Sequence, residues 1–406
     1  MFYTLGVRLY GSAIKIASLF NPKAKKWIVG RKIIWSKLPD VSSKKVVWFH
    51  CASLGEFEQG KPVILRWKNE YPNDFVLVTF FSPSGYEVKK NDEVADYVCY
   101  LPLDTPKNAK RFVNHFKPKN VFFVKYEFWV NYINAIHSTN CKLYAISASF
   151  RLKQRFFKWY GGIFRKALRK FDFIFVQRIE NIKLLRDIKV DRVVVAGDTR
   201  YDRVASRLDA KISNLQIANW SKSDESIFVI GSSWPVDEEI IIPFINDGTI
   251  ATKVIIAPHE VDENHINEIT KRLKVPYQCY TMINDLNPIK TETKVIILDC
   301  IGVLAEAYKY GTIAYVGGGF GTGLHNILEP AIFGLPVIFG PEFYKFPEAY
   351  DFISAGIGAT IRDKNEFIEA YEHFRESENI QEKAINFMKS QIGATDIIID
   401  KIKSTD

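Results

Sequence analysis

The residues best suited to chemistry in the first half of the chain follow an apolar segment. The stretch FHCASLGEFEQG (49–60) runs from that segment into Ser53, Gly55 and Glu56. With Ser53 three residues before it, Glu56 fits a capping box, in which hydroxyl and carboxylate accept hydrogen bonds from N–H groups at a helix start. If the segment is a strand of an open α/β sheet, however, the carboxylate lies at the edge where ligands bind. Glu56 is then a candidate general base, and the sequence alone leaves both roles open.

A glycine-rich stretch in the second half is the other main candidate. YVGGGFGTGLHNILEPAIFGLPVIFGP (315–341) has five glycines within residues 317–323, followed by a predicted helix with His325, Asn326 and Glu329. The spacing is not G-x-G-x-x-G, so the dinucleotide fingerprint is not met. Glycines nevertheless let backbone amides approach a phosphate at a helix N-terminus. Asn326 and Glu329 would share a helix face, and Glu329 would accept hydrogen bonds from both hydroxyls of a ribose. Glycines that serve only turns are the alternative.

Two further segments are weaker candidates. GSSWPVDEE (231–239) has a helix start with Ser232 and Ser233 before Pro235, and such caps are mostly structural. His259, in APHE (257–260), follows a predicted strand, where a single histidine is more often structural than functional. The chain has no Asp-x-Asp motif, no histidine cluster and only scattered cysteines, so we predict neither a metal ion nor a cofactor.

The elements that must position these residues are predicted from apolar segments that alternate with amphipathic ones, the pattern of βαβ units. Several of the apolar segments are continuous, as is typical of parallel strands covered on both faces. The predicted strands are 45–50, 75–80, 120–126, 142–147, 171–176 and 192–197, and, after a polar stretch, 227–232, 252–258, 294–299, 312–318 and 335–340. This pattern predicts an α/β protein of two Rossmann-like domains facing across a cleft, the GT-B glycosyltransferase type, although fold alone does not give function.

The N-terminus combines apolar and basic residues. The 406 residues carry a formal charge of +9, which favours an anionic partner such as a membrane surface, a phosphorylated substrate or nucleic acid. Residues 1–20 are interrupted by Arg8 and Lys15 and predict neither a spanning helix nor a signal peptide. On a helix they form a broad apolar face, typical of a helix in a membrane interface, where nearby cations add attraction. Those cations are Lys23, Lys25, Lys26, Arg31 and Lys32. A helix packed on its own domain is the alternative.

A second basic cluster, residues 151–170, carries interleaved aromatic residues. Phe156, Phe157, Trp159 and Tyr160 suit base stacking in principle, so a non-enzymatic module that binds nucleic acid or membranes is a rival interpretation. Their near-helical spacing favours a membrane-facing or core helix instead. We therefore predict no nucleic-acid partner.

Five motifs, in order along nearly the whole chain, resemble those of the 3-deoxy-D-manno-oct-2-ulosonic acid (Kdo) transferases of lipopolysaccharide biosynthesis. FHCASLGE resembles the H-x-x-S-x-G-E segment of that family, and VTFFSPSG its T-x-x-S/T-P-S/T-G turn. LPLDTPKNAKRF is similar to its P-x-D-x-P helix start and YEFWVN to its E-x-E-x-W-P-N segment. The glycine-rich stretch resembles its H-N-x-L-E signature.

The resemblance implies CMP-Kdo as the donor and a lipid A precursor of the lipid IVA type as the acceptor. It also implies a place at the cytoplasmic face of the bacterial inner membrane, peripheral or monotopic through the N-terminal helix. Residues 1–35 would then associate with the membrane, 36–205 form the acceptor-binding domain, 206–225 the linker, and 226–406 the nucleotide-sugar-binding domain. The last helix of the chain is able to pack back on the first domain.

The same resemblance implies roles for individual residues. Glu56 matches the catalytic base, which would deprotonate the attacking acceptor hydroxyl. Acceptor-binding positions are Ser53, Gly55, Thr79, Ser82, Ser84 and Glu127. Donor-binding positions are Ser232, Ser233, Pro258, His259, Gly302, Gly319, Gly321, Gly323, Asn326 and Glu329.

The chain departs from the family pattern on the acceptor side. Lys125 stands where the first acid of E-x-E-x-W is common, and Val130 stands at the usual proline. The alternative function is another GT-B-type transferase or an epimerase that uses a UDP-sugar. Such an enzyme would share the ribose glutamate, Glu329, but not the ASLGE turn.

Overall fold

The computed structural model describes residues 2–208, 215–221, 226–250 and 253–405. The chain divides into two compact units, one of Met1–Arg203 with Gln391–Asp406 and one of Val204–Ser390. Residues 391–406, predicted as the end of the second domain with a last helix able to pack back on the first, group with the first unit. The predicted linker, 206–225, lies partly outside the described residues, at 209–214 and 222–225.

The first unit contains a seven-stranded sheet in which every pairing is parallel. Its strands are β1 (Val46–Cys51), β2 (Phe75–Phe80), β3 (Tyr97–Tyr100), β4 (Asn120–Val124), β5 (Lys142–Ala148), β6 (Phe173–Val176) and β7 (Val193–Val195). They are ordered β3-β2-β1-β4-β5-β6-β7, so the order reverses between β1 and β4. In open α/β sheets ligands bind outside the carboxyl ends of the strands at such a reversal, the switch point.

The second unit repeats this topology. Its strands are β8 (Ile227–Ser233), β9 (Lys253–Pro258), β10 (Tyr277–Cys279), β11 (Val295–Ile297), β12 (Ile313–Val316), β13 (Val337–Phe339) and β14 (Gly358–Thr360). The order is β10-β11-β9-β8-β12-β13-β14, again with parallel pairing, and the switch point lies between β8 and β12.

The α-helices follow the strands as crossover connections or lie at the chain ends. They are α1 (Phe2–Ala17), α2 (Pro22–Ile33), α3 (Leu54–Glu70), α4 (Pro83–Lys89), α5 (Pro106–Phe116), α6 (Val130–His137), α7 (Gly162–Leu168), α8 (Glu180–Arg186), α9 (Thr199–Ala205), α10 (Leu215–Trp220), α11 (Pro235–Asn246), α12 (Glu263–Arg272), α13 (Leu304–Ala307), α14 (Leu328–Ala331), α15 (Pro347–Ser354), α16 (Lys364–Glu376), α17 (Ile380–Gln391) and α18 (Ala394–Lys403). Short 3-10 turns occupy Ile34–Ser36, Arg155–Phe157, Tyr280–Met282 and Tyr308–Tyr310.

The core lies on both faces of each sheet, because central strands such as β1 and β4 are buried along their whole length. In β1, Trp48 packs into the cluster on one face of the sheet and Phe49 into the cluster on the other. Ile398 and Ile402 of α18 join the second of these clusters, which holds the C-terminal helix on the first unit. The prediction of two Rossmann-like parallel-sheet domains is confirmed.

Candidate active site

Two carboxylates lie at the switch point of the first unit. β1 ends at Cys51, two residues separate it from α3, and Glu56 is in the first turn of that helix. β4 ends at Val124, and Glu127 lies in the loop that leads to α6. The sheet order places these two strands side by side. The topology therefore brings Glu56 and Glu127 to one ligand-binding edge.

Glu56 takes part in a cap of α3. The hydroxyl of Ser53 accepts a hydrogen bond from the Glu56 backbone N–H at 3.5 Å, and the Glu56 carboxylate accepts one from the Ala52 N–H. Both hydrogen bonds of a capping box are thus present, except that the carboxylate accepts from the N–H of Ala52 and not from that of the N-cap residue, Ser53. Because the same carboxyl group lies at the switch point, capping and chemistry do not exclude each other.

The surroundings of Glu56 make it a stronger base than an exposed glutamate. Burial raises the pKa of Glu56 to about 8, and the negative charge of Glu127 acts in the same direction. The Ala52 N–H and the positive charge of Lys125 oppose this rise. A carboxyl group with that pKa accepts a proton readily near neutral pH, as general-base chemistry requires.

His50 links Glu127 to the interior of the unit. The Trp129 indole N–H donates to Nε2 of His50 at 2.9 Å, so Nε2 accepts and the ring donates through Nδ1. Nδ1 lies 2.8 Å from the Thr79 hydroxyl oxygen. The buried Oε2 of Glu127 lies 3.5 Å from His50 Nε2 and forms no hydrogen bond with the described residues.

The other predicted acceptor-side residues divide into two groups. Ser82, the N-cap of α4, and Ser84 lie at the exposed carboxyl end of β2, with their hydroxyl oxygens 2.8 Å apart. Gly55 is exposed beside Glu56. Thr79, by contrast, is fully buried, and its hydroxyl also accepts the Trp48 indole N–H. The prediction that Thr79 contacts the acceptor is corrected: it lies behind the site and orients His50.

The second unit gathers most of the predicted donor residues at its own switch point. Ser232 and Ser233 end β8, Pro258 ends β9 with His259 directly after it, and the glycine-rich loop follows β12. These three strands are neighbours in the sheet. Gly302 is the exception, because it follows β11, two strands from β8.

The predicted helix after the glycines is wrong in its extent. α14 has four residues, and His325 and Asn326 precede it in an extended loop, so Asn326 and Glu329 do not share a helix face. The Asn326 side chain accepts the N–H of Leu328, the first helical residue, at 3.1 Å, and Gly334 ends the segment with a φ of +88°. Glu329 lies 3.3 Å from Arg207 Nη2 through one oxygen. One helical turn supplies little dipole, so a phosphate here would depend on the loop amides themselves.

The predicted glycines have two different physical roles. A Cβ on Gly319 would lie 2.6 Å from the Gly340 Cα, so glycine is needed there for backbone packing. Gly321 and Gly323 have φ values of +129° and +103°, and a Cβ on either would meet open space. These two keep the loop in a conformation that a ligand can approach.

Ser233 is buried and serves the structure. Its hydroxyl donates to Glu238 Oε1 at 2.9 Å, and the same carboxylate lies 3.0 Å from His265 Nε2. The prediction that the Ser233 side chain contacts the donor is corrected for this reason. Ser232 is half-buried with a φ of +52°, an unusual backbone conformation for serine.

The sequence did not single out the aromatic stack at this switch point. The rings of Trp234 and His259 are 4.6 Å apart, those of His259 and His325 are 4.4 Å apart, and both pairs are stacked. Trp234 Nε1 donates to His325 Nε2 at 3.2 Å. The signal available was the W after GSS and the H of APHE, each just after a predicted strand, with the H of H-N-x-L-E after the glycine-rich loop. Over the described ranges, no group of three or more His, Cys, Asp or Glu residues could hold a metal ion.

The N-terminal helix presents a broad apolar surface. Within the described part of the chain, no helix is long and apolar enough to cross a membrane. α1 packs through Tyr3, whose hydroxyl donates to Asp104 at 2.6 Å, and through Gly11 against Leu103. Large apolar side chains are left outside, with exposed fractions of 90% for Phe2 and 63% for Leu9.

One predicted lipid-contacting cation is part of the interior instead. Arg31 donates to the backbone carbonyls of Leu101 at 2.9 Å and Phe81 at 2.8 Å, and its guanidinium lies 3.7 Å from the centre of the Trp27 ring. The expectation that Arg31 faces lipid is wrong, because its guanidinium is buried and hydrogen-bonded within the first unit. Burial also lowers the pKa of Arg31 to about 9. Lys23, Lys25, Lys26 and Lys32 are exposed.

In the 151–170 cluster, Phe156 is buried whereas Trp159 is 91% exposed.

Two parallel-sheet units, each with polar residues at its switch point, define a protein of the GT-B fold. Among solved structures the chain is similar to UDP-GlcNAc 2-epimerase from Neisseria meningitidis, with a TM-score of 0.63 and 17% identity. The match covers 89% of this chain and 100% of the epimerase. At that identity the likeness concerns the fold alone.

Sequence comparisons identify the family within this class. The family described as 3-deoxy-D-manno-octulosonic-acid transferase (kdotransferase) matches residues 29–203. The chain is 30% identical to the 3-deoxy-D-manno-octulosonic acid transferase of Aquifex aeolicus over 332 residues, 80% of this chain and 84% of that protein. It is 26% identical over 399 residues to a bifunctional glycosyltransferase/methyltransferase of Fusobacterium nucleatum, but covers only 61% of that protein's length. The chain belongs to the Kdo transferase family, a family of glycosyltransferases, and the resemblance drawn from five motifs is confirmed.

Proposed function

We infer that this chain is an inverting glycosyltransferase that moves Kdo from CMP-Kdo to a lipid A precursor of the lipid IVA type. The observation that carries the proposal is the Glu56 carboxyl group, buried at the switch point of the first unit with a pKa raised to about 8. Membership in the Kdo transferase family supports the sugar that is transferred. Attachment through α1 to the cytoplasmic face of the inner membrane is part of the same proposal.

In the proposed reaction Glu56 accepts the proton of the attacking acceptor hydroxyl. The hydroxyl oxygen forms a bond to the anomeric carbon of Kdo, and the bond from that carbon to the phosphate oxygen of CMP breaks. CMP leaves with the electron pair and a negative charge. Glu127, in the loop after β4 at the same edge of the sheet as Glu56, would accept a hydrogen bond from the acceptor sugar.

The second unit would bind the nucleotide. Loop amides around Gly321 and Gly323 would stabilise the phosphate of the departing CMP, a form of electrostatic stabilisation that needs no further cation. Glu329 would accept ribose hydroxyls through the carboxylate oxygen not used by Arg207.

Donor choice gives a direct test of this function. We expect CMP to bind in preference to UDP, with a dissociation constant at least about tenfold lower, which corresponds to about 1.4 kcal/mol. Competition of unlabelled CMP and UDP against a fluorescent CMP analogue measures this preference. Tighter binding of UDP would favour the alternative, a UDP-sugar transferase or epimerase.

The rate of transfer should depend on pH through Glu56. A general base acts in its ionised form, so kcat/KM is expected to fall as the pH falls below about 8. Glu127→Gln removes a negative charge that raises the Glu56 pKa, so the acid limb should move to lower pH. Lys125→Gln removes a positive charge that lowers this pKa, so the limb should move to higher pH. Shifts of both variants in the same direction, measured over the full pH profile, would contradict the assignment of the limb to Glu56.

A further inference from the structure

A stack of aromatic and imidazole rings occupies the switch point of the second unit. Trp234 follows β8, His259 follows β9, and His325 belongs to the loop after β12, so three neighbouring strands converge on it. Trp234 and His325 are half-buried and His259 is exposed, which leaves the imidazole edges within reach of a ligand. We propose that this stack is an anion-recognition subsite for the sugar donor, in which His325 donates a hydrogen bond from Nδ1.

The position of the His325 proton follows from its partner. An indole N–H is only a donor, so His325 Nε2, 3.2 Å from Trp234 Nε1, must be the acceptor. The single proton of the neutral ring is then on Nδ1. Nδ1 has no hydrogen-bond partner among the described residues, whereas the backbone N–H of His325 donates to the Gly317 carbonyl and fixes the loop. The ring therefore presents one oriented N–H group.

His325 stays neutral over the physiological range. Burial lowers the pKa of His325 to about 4, and the neighbouring imidazole of His259 lowers it further when protonated. A neutral N–H group binds a localised anionic oxygen by direct hydrogen bonding and has no net charge with which to attract other anions. His325 is thus suited to select a ligand by geometry.

The identity of the anion rests on the proposed function. CMP-Kdo has two anionic groups on its anomeric carbon, the phosphate ester and the carboxylate, and both present oxygens that an N–H group can bind. The open loop around Gly321 and Gly323 lies on the same side of the sheet, after the same strand β12. Loop amides and His325 together would hold the two anionic groups, and the nucleotides used in the test distinguish them.

The test compares the wild-type protein with His325→Ala and His325→Asn, and with His373→Ala as a matched control on the exposed face of α16. Calorimetry with cytidine, CMP and CMP-Kdo presents neither anion, the phosphate alone, or both anions. We expect His325→Ala to weaken CMP-Kdo binding about 10- to 100-fold, the range of a hydrogen bond to a charged group. Cytidine affinity should not change. Asparagine, whose amide N–H lies near the position of Nδ1, should restore most of the loss.

Each outcome decides the proposal. A CMP affinity that falls as much as that of CMP-Kdo assigns His325 to the phosphate, and an unchanged CMP affinity assigns it to the carboxylate. An equal loss for cytidine, no loss for any ligand, or an asparagine variant no better than alanine would overturn the subsite. If the wild-type protein binds none of the three, the proposed function itself fails. If the wild-type protein binds CMP and CMP-Kdo but the His325 variants do not behave as expected, only the subsite is overturned.

Discussion

Replacing Glu56 with glutamine should reduce the rate of Kdo transfer by about 10²- to 10⁴-fold, the usual contribution of a general base. Glutamine has nearly the same volume, and its amide oxygen can still accept the Ala52 N–H that the carboxylate now accepts. The cap of α3 is therefore retained, and only the ability to take a proton is lost. Steady-state transfer from CMP-Kdo measures the effect, and CMP affinity should stay at the wild-type value.

The matched control is Glu70→Gln, at the other end of α3. Glu70 forms ion pairs with Arg66 and Lys403 at the surface, far along the helix from the switch point, so its replacement should leave transfer within about twofold of wild type. A Glu56→Gln variant with near-normal turnover would show that the carboxylate only caps the helix. Equal losses in both variants would indicate a general defect of α3.

Glu56→Gln should also flatten the pH dependence of folding. The pKa of Glu56 is raised in the folded protein, so between about pH 4.5 and 8 the folded state binds more protons than the unfolded state. The free energy of unfolding therefore decreases as the pH rises through this window, and glutamine, which does not ionise, removes that decrease. Urea unfolding above pH 8 should find the variant at least as stable as wild type. A variant that is less stable there would contradict the burial that raises the pKa.

Membrane attachment should be lost when the exposed apolar face of α1 is made polar. Phe2, Leu5 and Leu9 are more than half exposed, whereas Tyr3 and Gly11 hold the helix on its unit. Full burial of one large apolar side chain is worth about 1.5–3 kcal/mol, so half of the lower value for three residues already corresponds to about 50-fold in partitioning. The triple variant Phe2→Ser, Leu5→Ser, Leu9→Ser should sediment much less with vesicles of anionic lipid.

The control separates lipid contact from folding. CMP binding belongs to the second unit in the proposed function, and it should be unchanged in the triple variant. Raising the salt concentration should weaken wild-type binding as well, because Lys23, Lys25, Lys26 and Lys32 are exposed and their attraction to headgroups is screened. A triple variant that still sediments with vesicles and keeps full activity on a lipid acceptor would show that α1 is a packing element.

Sequence patterns predicted the central strands and one edge strand, β7, and missed the other three edge strands. Each of the eleven predicted strands is present, because continuous runs such as those in β1 and β4 are required wherever a strand is covered on both faces. The three strands that were missed, β3, β10 and β14, lie at edges of the two sheets and have only three or four residues. An edge strand has a neighbouring strand on one side only and is less completely covered than a central strand. Its sequence therefore need not be a continuous apolar run. Its register is set by its neighbour instead.

The site residues were predictable where local sequence fixes the backbone, and less so where distant residues meet. The spacing of Ser53 and Glu56 predicted the cap of α3, and the apolar strand before them predicted that Glu56 lies at the edge of the sheet. The extent of the helix after the glycine-rich loop was predicted wrongly, because α14 begins only at Leu328 and Gly334 ends the segment, which leaves a single turn. The stack of Trp234, His259 and His325 depends on the order of β9, β8 and β12, which no local pattern contains.

The most direct test of the central claim is the mass of the product. Purified protein would be incubated with CMP-Kdo and a tetraacylated disaccharide acceptor, with UDP-sugars in parallel reactions and Glu56→Gln as the matched variant. We expect mass spectrometry to find the acceptor extended by at least one Kdo residue, with CMP released, when the wild-type protein is given CMP-Kdo. UDP-sugars should give no product, and the Glu56→Gln variant should give far less product than the wild-type protein. An acceptor that stays unmodified with CMP-Kdo, or that gains a sugar from a UDP-sugar instead, would contradict it.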